Sequence, residues 1–338
     1  MGGRRAVSLL ITKPGLLSTI QDLGRFGTQK YGVIASGAMD SFALRMANLL
    51  VGNTEKEAGL EITMLGPDLT FDSPAVISVC GGDLSPMLDE IPVPLWRTVY
   101  APKGSRLHFG RLRSGCRAYL AVAGGLDVPL QMNSRSTYLR AGIGGHQGRA
   151  LRAGDVLPAG ALSSRSRRLA DRLTGRAGSG AAAASSWFVA PELLPAYSGE
   201  PVIRVTEGEE YHLFEGGSLH TFLNEPFTVL TQSDRMGYRL SGGTLRLAEE
   251  KEMISSAVTF GTIQVPAGGN PIVLMADRQT TGGYPKLAQV ISVDLPLLAQ
   301  VNLGGAVRFS CVSLREAQEL NILRELEISR LRSALSQL

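Results

Sequence analysis

Cysteine is scarce in this 338-residue chain and badly placed for chemistry. Cys80, Cys116 and Cys311 lie far apart, no CxxC pair occurs, and an odd count argues against a disulfide framework. The three thiols are expected to fill cores in a reducing cytoplasm. The 4 histidines are dispersed as well, which leaves no spacing that suits a metal. Aromatic residues make up only 6% and lysines are few, so a net charge of +4 is spread over scattered arginines. A nucleic-acid surface needs clustered basic residues and stacking rings, and it is not expected here. The opening "MGGRRAVSLLITKPG" is too short in apolar residues for a secretory signal, and no apolar run approaches a membrane span. A cytoplasmic protein without a membrane partner is expected. Walker loops, a GxGxxG turn after a strand and a Ser-His-Asp pattern are missing too, which removes the common nucleotide and hydrolase signatures.

What is present reads as β structure. Apolar segments are short ("AVSLLI", "AVISVC", "RAYLAVAG", "VIRVTEG", "FTVLT", "PIVLM", "AVRFSCV") and are punctuated by many of the 40 glycines. That pattern suits barrels or sandwiches, and the length allows two domains with separate cores. Two helices interrupt it. "MDSFALRMANLLVGN" has helical apolar spacing, with Asp40 as N-cap and Gly52 as stop. Residues 316–338 form an amphipathic tail helix with Leu or Ile recurring at three and four. Between the halves, residues 163–190 are rich in Ser, Ala, Gly and Arg and read as a flexible linker, partly helical around Leu169 to Leu173. The expected modules are 1–162 and 191–315. A faint echo relates them: Gln, Asp, Arg and Gly precede a Ser-Gly in each half, and a later apolar strand ends at Asp83 or Asp277.

Polar and glycine residues concentrate in five places. Residues 19–40 carry Asp22 and Arg25, and "CGGDLSP" carries Gly81, Gly82 and Asp83. Residues 133–155 carry Arg135 and Tyr138, and residues 232–242 carry Arg235 and Tyr238. The fifth, "MADRQTTGGYPKLAQVI", sets Asp277, Arg278, Thr280, Thr281, Gly282, Gly283, Tyr284 and Lys286 between two apolar runs. Guanidinium forks grip carboxylates or phosphates, and Gly-Gly N–H groups can cradle an oxyanion. Tyr284 or Lys286 could carry a proton. Any one cluster could simply close a hairpin, whereas five together favour a shared substrate cleft.

"KPGLLSTIQDLGRFG", "GVIASGAMDSFALRMANLLVGN", "SRSTYLRAGIGGHQGRALRAGD", "DRMGYRLSG" and "PIVLMADRQTTGGYPKLAQVI" resemble the biotin-dependent carboxyltransferase family. That family was long described as allophanate hydrolase subunit 2, and it includes the C subunit of bacterial 5-oxoprolinase and the antagonist of the sporulation-kinase inhibitor. The likeness covers roughly residues 7 to 315. It implies a mainly β fold of two cyclophilin-like β-barrel modules with a few helices. It also implies a complex with a B-type, kinase-inhibitor-like subunit and an A-type subunit. Together these use ATP to open the cyclic amide 5-oxoproline (pyroglutamate) to L-glutamate; which subunit binds ATP stays open. The alternatives are a carboxyltransferase component of a biotin-dependent urea or amide carboxylase system, and a regulatory protein that binds a kinase-inhibitor-like partner. In the first reading Arg278 with Arg235 would grip the substrate carboxylate, with Asp277 orienting the arginine. Gly282, Gly283, Thr280 and Thr281 would form the cradle. These roles come from side-chain chemistry; the resemblance supports the importance of the motif.

Overall fold

A computed structural model describes residues 7–177 and 181–337. The chain divides into two compact units. The first holds residues up to 25, residues 36–194 and residues 327–338; the second holds residues 26–35 and 195–326.

In the first unit, two six-stranded sheets enclose one apolar core. Strand Ser8–Lys13 pairs with Asp68–Phe71 in one sheet, while the long strands Ala75–Asp83 and Ser114–Val122 run side by side in the other. Leu9, Ile11, Leu69, Phe71 and Leu107 from the first sheet meet Ile20, Leu60, Ile62, Ile77 and Leu120 from the second. Burial on alternate residues is what the short apolar runs dictate for strands with one face in a core. The two long strands are covered on both faces, because helix α1 (Ser41–Leu50) packs across them. Asp40 caps α1 through a carboxylate that accepts the Ala43 N–H at 2.9 Å, and Gly52 follows its end at φ +83°.

The segment read as a linker partly helical around Leu169 to Leu173 carries a longer helix. Helix α2 (Ser164–Ala177) runs through it, with Leu169 and Leu173 buried. Its first turn caps the end of α1: Arg165 Nη2 donates to Leu49 O at 2.6 Å, Ser166 Oγ to Val51 O at 2.9 Å, and Ser163 Oγ to Gly52 O at 2.9 Å. The orphan carbonyls of one helix thereby order the start of the next. Strand Ala183–Ala184 then extends the sheet edge beside Val99–Ala101. Residues 178–180 of the expected linker lie outside the described residues.

The second unit contains a closed barrel of seven strands. Val202–Glu207 closes it by pairing parallel to Ala306–Cys311 and antiparallel to Lys286–Val290. This is the cyclophilin-like barrel that the resemblance implies. Helix α3 (Gly216–Asn224) lays Phe222 against Phe309 with stacked rings 4.7 Å apart. Asp294, just before the short helix α4 (Leu295–Ala299), takes both arms of Arg204 at 2.9 and 2.6 Å. The tail helix α5 spans Leu314–Ser336 and buries Ile328 and Leu335. The five helices and the strands make the described residues mainly β. No helix among them is long and apolar enough to cross a membrane, and none of their His, Cys, Asp and Glu residues form a metal-sized cluster. Cys80 and Cys116 are buried as expected, but Cys311 is exposed: it ends a barrel strand, where its side chain points off the core.

Candidate functional site

Strand Ile272–Leu274 delivers residues 275–286 to one end of the barrel. Met275 and Ala276 are buried, so the chain is anchored before its polar residues begin. Asp277 then turns inward. Its two oxygens accept Arg235 Nε at 3.0 Å and Nη2 at 3.1 Å, and its N–H donates to Arg235 O at 2.7 Å. Both residues are nearly covered, at 4% and 6% exposure. A buried bidentate pair of this kind holds structure, because either half alone would strand a charge in the interior. Arg235 is therefore paired with Asp277. Asp277 orients Arg235 and not Arg278.

Arg278 has the opposite surroundings. Burial pushes its guanidinium down to about 10, against the nearby charge of Asp277, which holds it up. Its Nε is buried with no acceptor, and Nη1 reaches only Met275 O at 3.5 Å. No carboxylate among the described residues pairs with it. The Phe260 ring lies 5.9 Å from its Cζ, giving the cation an aromatic floor.

A two-stranded arm explains that juxtaposition. Ser256 pairs with Gly282, Ala257 pairs with Thr281, and Val258 N–H continues the track to Thr280 O at 3.2 Å. Counting on, Phe260 falls opposite Arg278. Partners across an antiparallel ladder share a face, and that face alternates along each strand. Ala257, Thr259 and Thr281 are exposed, while Val258 is buried and Ser256, Phe260, Arg278, Thr280 and Gly282 are partly so. The second set thus faces the barrel. Lys286 ties the arm down: its Nζ donates to Ser256 Oγ at 2.9 Å and pairs with Glu209, with Glu210 Oε1 3.8 Å away. Gln264 Nε2 donates to Tyr284 O at 3.1 Å, and a Cβ at Gly282 would sit 2.6 Å from that same nitrogen. A side chain there would push the Gln264 amide off Tyr284 O. Thr281, Gly283 and Tyr284 face solvent, the tyrosine at 51% exposure.

The remaining candidates hold the first unit together. Asp22 Oδ1 accepts from Gly24 N–H at 2.8 Å, Ser134 Oγ at 2.8 Å and Ser136 Oγ at 2.5 Å, and Oδ2 accepts Arg135 N–H at 2.6 Å. Arg25 is fully buried and donates to Gln131 O and Ser136 O at 2.9 Å each. A Cβ on Gly144 would lie 1.9 Å from Ser136 O, so the Gly-rich turn exists to let these loops nest. Arg135 Nε donates to Val128 O at 2.9 Å, and Tyr138 bridges backbone to Ile143. Gly81 and Gly82 are buried in a central strand, where a Cβ on Gly81 would meet Arg117 O at 2.6 Å. Asp83 accepts Ser85 N–H at 2.8 Å and faces Arg113 at 3.8 Å. In the second unit Tyr238 is buried, its hydroxyl 3.5 Å from Ala299 O. Asp22, Arg25, Arg135, Gly81, Gly82 and Tyr238 thus make internal contacts within their own units. The sequence echo does not carry chemistry either: Arg235 pairs with Asp277, whereas Arg25 binds backbone carbonyls.

Sequence reasoning missed Phe260, Ser256, Gln264 and Gln289. The signal for the first was an aromatic beside glycine in "VTFGTIQ", which reads equally well as ordinary strand.

The site thus sits on an arm at the end of a closed barrel, and the class of domain comes from comparison with known proteins. The family model for the carboxyltransferase domain, subdomains A and B, matches residues 31–311. The chain belongs to that family. It is 40% identical over 320 residues to the C subunit of 5-oxoprolinase from Haemophilus influenzae, covering 95% of this chain and 96% of the relative. It is also 40% identical over 309 residues to the Escherichia coli protein of the same name, covering 91% and 93%. Among solved structures, urea amidolyase of K. lactis superposes with a TM-score of 0.85 at 30% identity, over 98% of this chain. This chain spans only 20% of that longer protein.

Proposed function

We propose that this chain is the C subunit of an ATP-dependent 5-oxoprolinase, working with A-type and B-type subunits to open 5-oxoproline to L-glutamate. The observation that carries the reading is Arg278: a desolvated guanidinium without a carboxylate of its own, above an aromatic floor. A free carboxylate on a small, flat ring is the complement of that arrangement, since a charge-assisted fork satisfies the orphaned Nε and the ring rests on Phe260. The 40% identity to two proteins named for this activity supports the same choice.

On this reading Arg278 holds the substrate carboxylate and aligns the lactam against the arm. Lactam opening is uphill near neutrality, and ATP supplies the activation when it is bound to the complex. The Thr280 hydroxyl, on the same face of the arm as Arg278, is assigned to the charge that develops on the amide oxygen. Lys286 already donates to Glu209 and Ser256, so the half-exposed Tyr284 is assigned the proton transfer. A second reading follows from the likeness to urea amidolyase. Arg278 over Phe260 would equally hold a carboxylated biotin carrier delivered by a partner chain.

The test mixes the purified chain with its A-type and B-type subunits and follows glutamate and ADP formed from 5-oxoproline, omitting each subunit in turn, with and without avidin. Turnover that requires all three and ignores avidin is the expected result. Turnover abolished by avidin would transfer the assignment to carboxyl transfer, and no turnover with all three present would refute the oxoprolinase reading.

A further inference from the structure

Phe260 sits in a turn that is fixed far more firmly than a hairpin needs. Gln289, on the barrel strand Lys286–Val290, reaches into that turn with both ends of its amide. Nε2 donates to Phe260 O at 2.7 Å and to Val290 O at 3.1 Å. Oε1 accepts from Thr259 Oγ1 at 2.8 Å and Thr262 Oγ1 at 2.9 Å. The Thr262 hydroxyl oxygen also accepts the Thr259 N–H at 3.0 Å. Between these contacts Gly261 takes φ +87°, and a Cβ there would lie 2.9 Å from Gln289 Nε2 and 2.8 Å from Leu295 Cδ2. Its N–H donates to Leu274 O at 2.8 Å and its carbonyl accepts Val290 N–H at 2.9 Å. Residues 259–262 are therefore held from several sides, and the Phe260 ring lies 5.9 Å from Arg278 Cζ.

We infer that Gln289, with Thr259 and Thr262, is the positioning element of the substrate site: it sets the Phe260 floor at the height from which Arg278 meets a planar carboxylate. This rests on the carboxylate-binding reading of Arg278 and deepens it. The chemistry favours it over a purely structural brace. A buried turn is closed by one or two hydrogen bonds, whereas sites are built by locking first contacts through a supporting layer, because a small displacement costs binding. The ligand class follows as well. An aromatic floor fixed at one height beneath a cation selects flat anions, such as a carboxylate on a small ring, over bulky tetrahedral ones.

The experiment uses the assembled complex with Gln289→Met, which keeps the side-chain volume and removes all four hydrogen bonds. Thr262→Val runs beside it, so that a folding failure of one variant leaves the other to decide. The KM for 5-oxoproline is expected to rise about tenfold with kcat within twofold, and the increase is expected to vanish when Arg278→Leu is already present. A brace alone would lower the yield of active complex at constant KM, and that result, or an effect that simply adds to Arg278→Leu, would overturn the inference. The 15N resonance of Arg278 Nε–H, read on the chain itself, separates the two layers. If Arg278→Leu leaves KM unchanged, the carboxylate reading fails. If Gln289→Met and Thr262→Val leave the Nε–H resonance in place, the positioning inference fails on its own.

Discussion

Arg149 in the first unit and Arg278 in the second both sit in glycine-rich loops with an acid nearby in sequence, and they end in opposite states. Arg149 grips Asp155 through two bonds of 2.8 Å and adds Gln147 Oε1 at 3.0 Å. That grip holds Asp155 down at about 2, helped by the Arg152 N–H, against the opposing effect of burial. Arg278 has Asp277 as its chain neighbour, but that acid is taken by Arg235, and the unpartnered guanidinium is pushed down instead. A satisfied arginine is part of the fold, and on the proposed reading the unsatisfied one in the same kind of loop holds an anion. The distinction lies in which carboxylate reaches which guanidinium, and residue type does not reveal it.

Destroying a satisfied pair should have the largest effect on stability. Asp277→Ala strands Arg235 in the barrel and is expected to cost about 3–5 kcal/mol in urea unfolding of the chain. A loss under about 1 kcal/mol would show that the pair is not the strut described here. Asp155→Asn is expected to cost about 2 kcal/mol at neutral pH, because the Arg149 fork holds the Asp155 carboxyl at about 2, below its ordinary value. The sign is set by the depressed value: the contribution is complete above the ordinary aspartate pKa and is lost as pH falls from about 4 to about 2. The variant should lose that part of its acid sensitivity, and a parent-like acid transition would break the comparison. Truncating the cap between helices, Ser166→Ala, is expected to cost about 1 kcal/mol by the same unfolding measurement. Arg278→Leu stands at the bottom of the scale. Removing a desolvated, unpaired cation should leave the melting temperature equal to or above that of the parent, and a drop of several degrees would mean that Arg278 has a structural partner after all.

The β-rich architecture was readable because strand alternation and glycine punctuation are local signals, and the caps of α1 at Asp40 and Gly52 were too. Helix α2 was legible only around Leu169 to Leu173, because a Ser-, Ala- and Arg-rich composition resembles a linker, while its order comes from two buried leucines and carbonyls supplied by another helix. The polar run at 275–286 stands out in the sequence, but which partners its side chains pair with does not. Arg235 and Asp277 are 42 positions apart, and nothing in either neighbourhood announces that they consume each other. Phe260 and Gln289 were invisible for the same reason, since their meaning is the register of an arm against a barrel. For the Asp22 cluster, residue type alone did not show that its carboxylate, serines and arginine bond to one another and to nearby backbone.

The central claim is that Arg278 is kept unpaired in order to hold a substrate carboxylate. It is tested most directly by steady-state kinetics of Arg278→Leu in the reconstituted three-subunit complex with 5-oxoproline. A KM raised about thirtyfold or more, corresponding to the loss of a charge-assisted hydrogen bond of about 2 kcal/mol or more, together with an undiminished melting temperature, is the result predicted. Parent-like KM and kcat in a complex that assembles normally would contradict it.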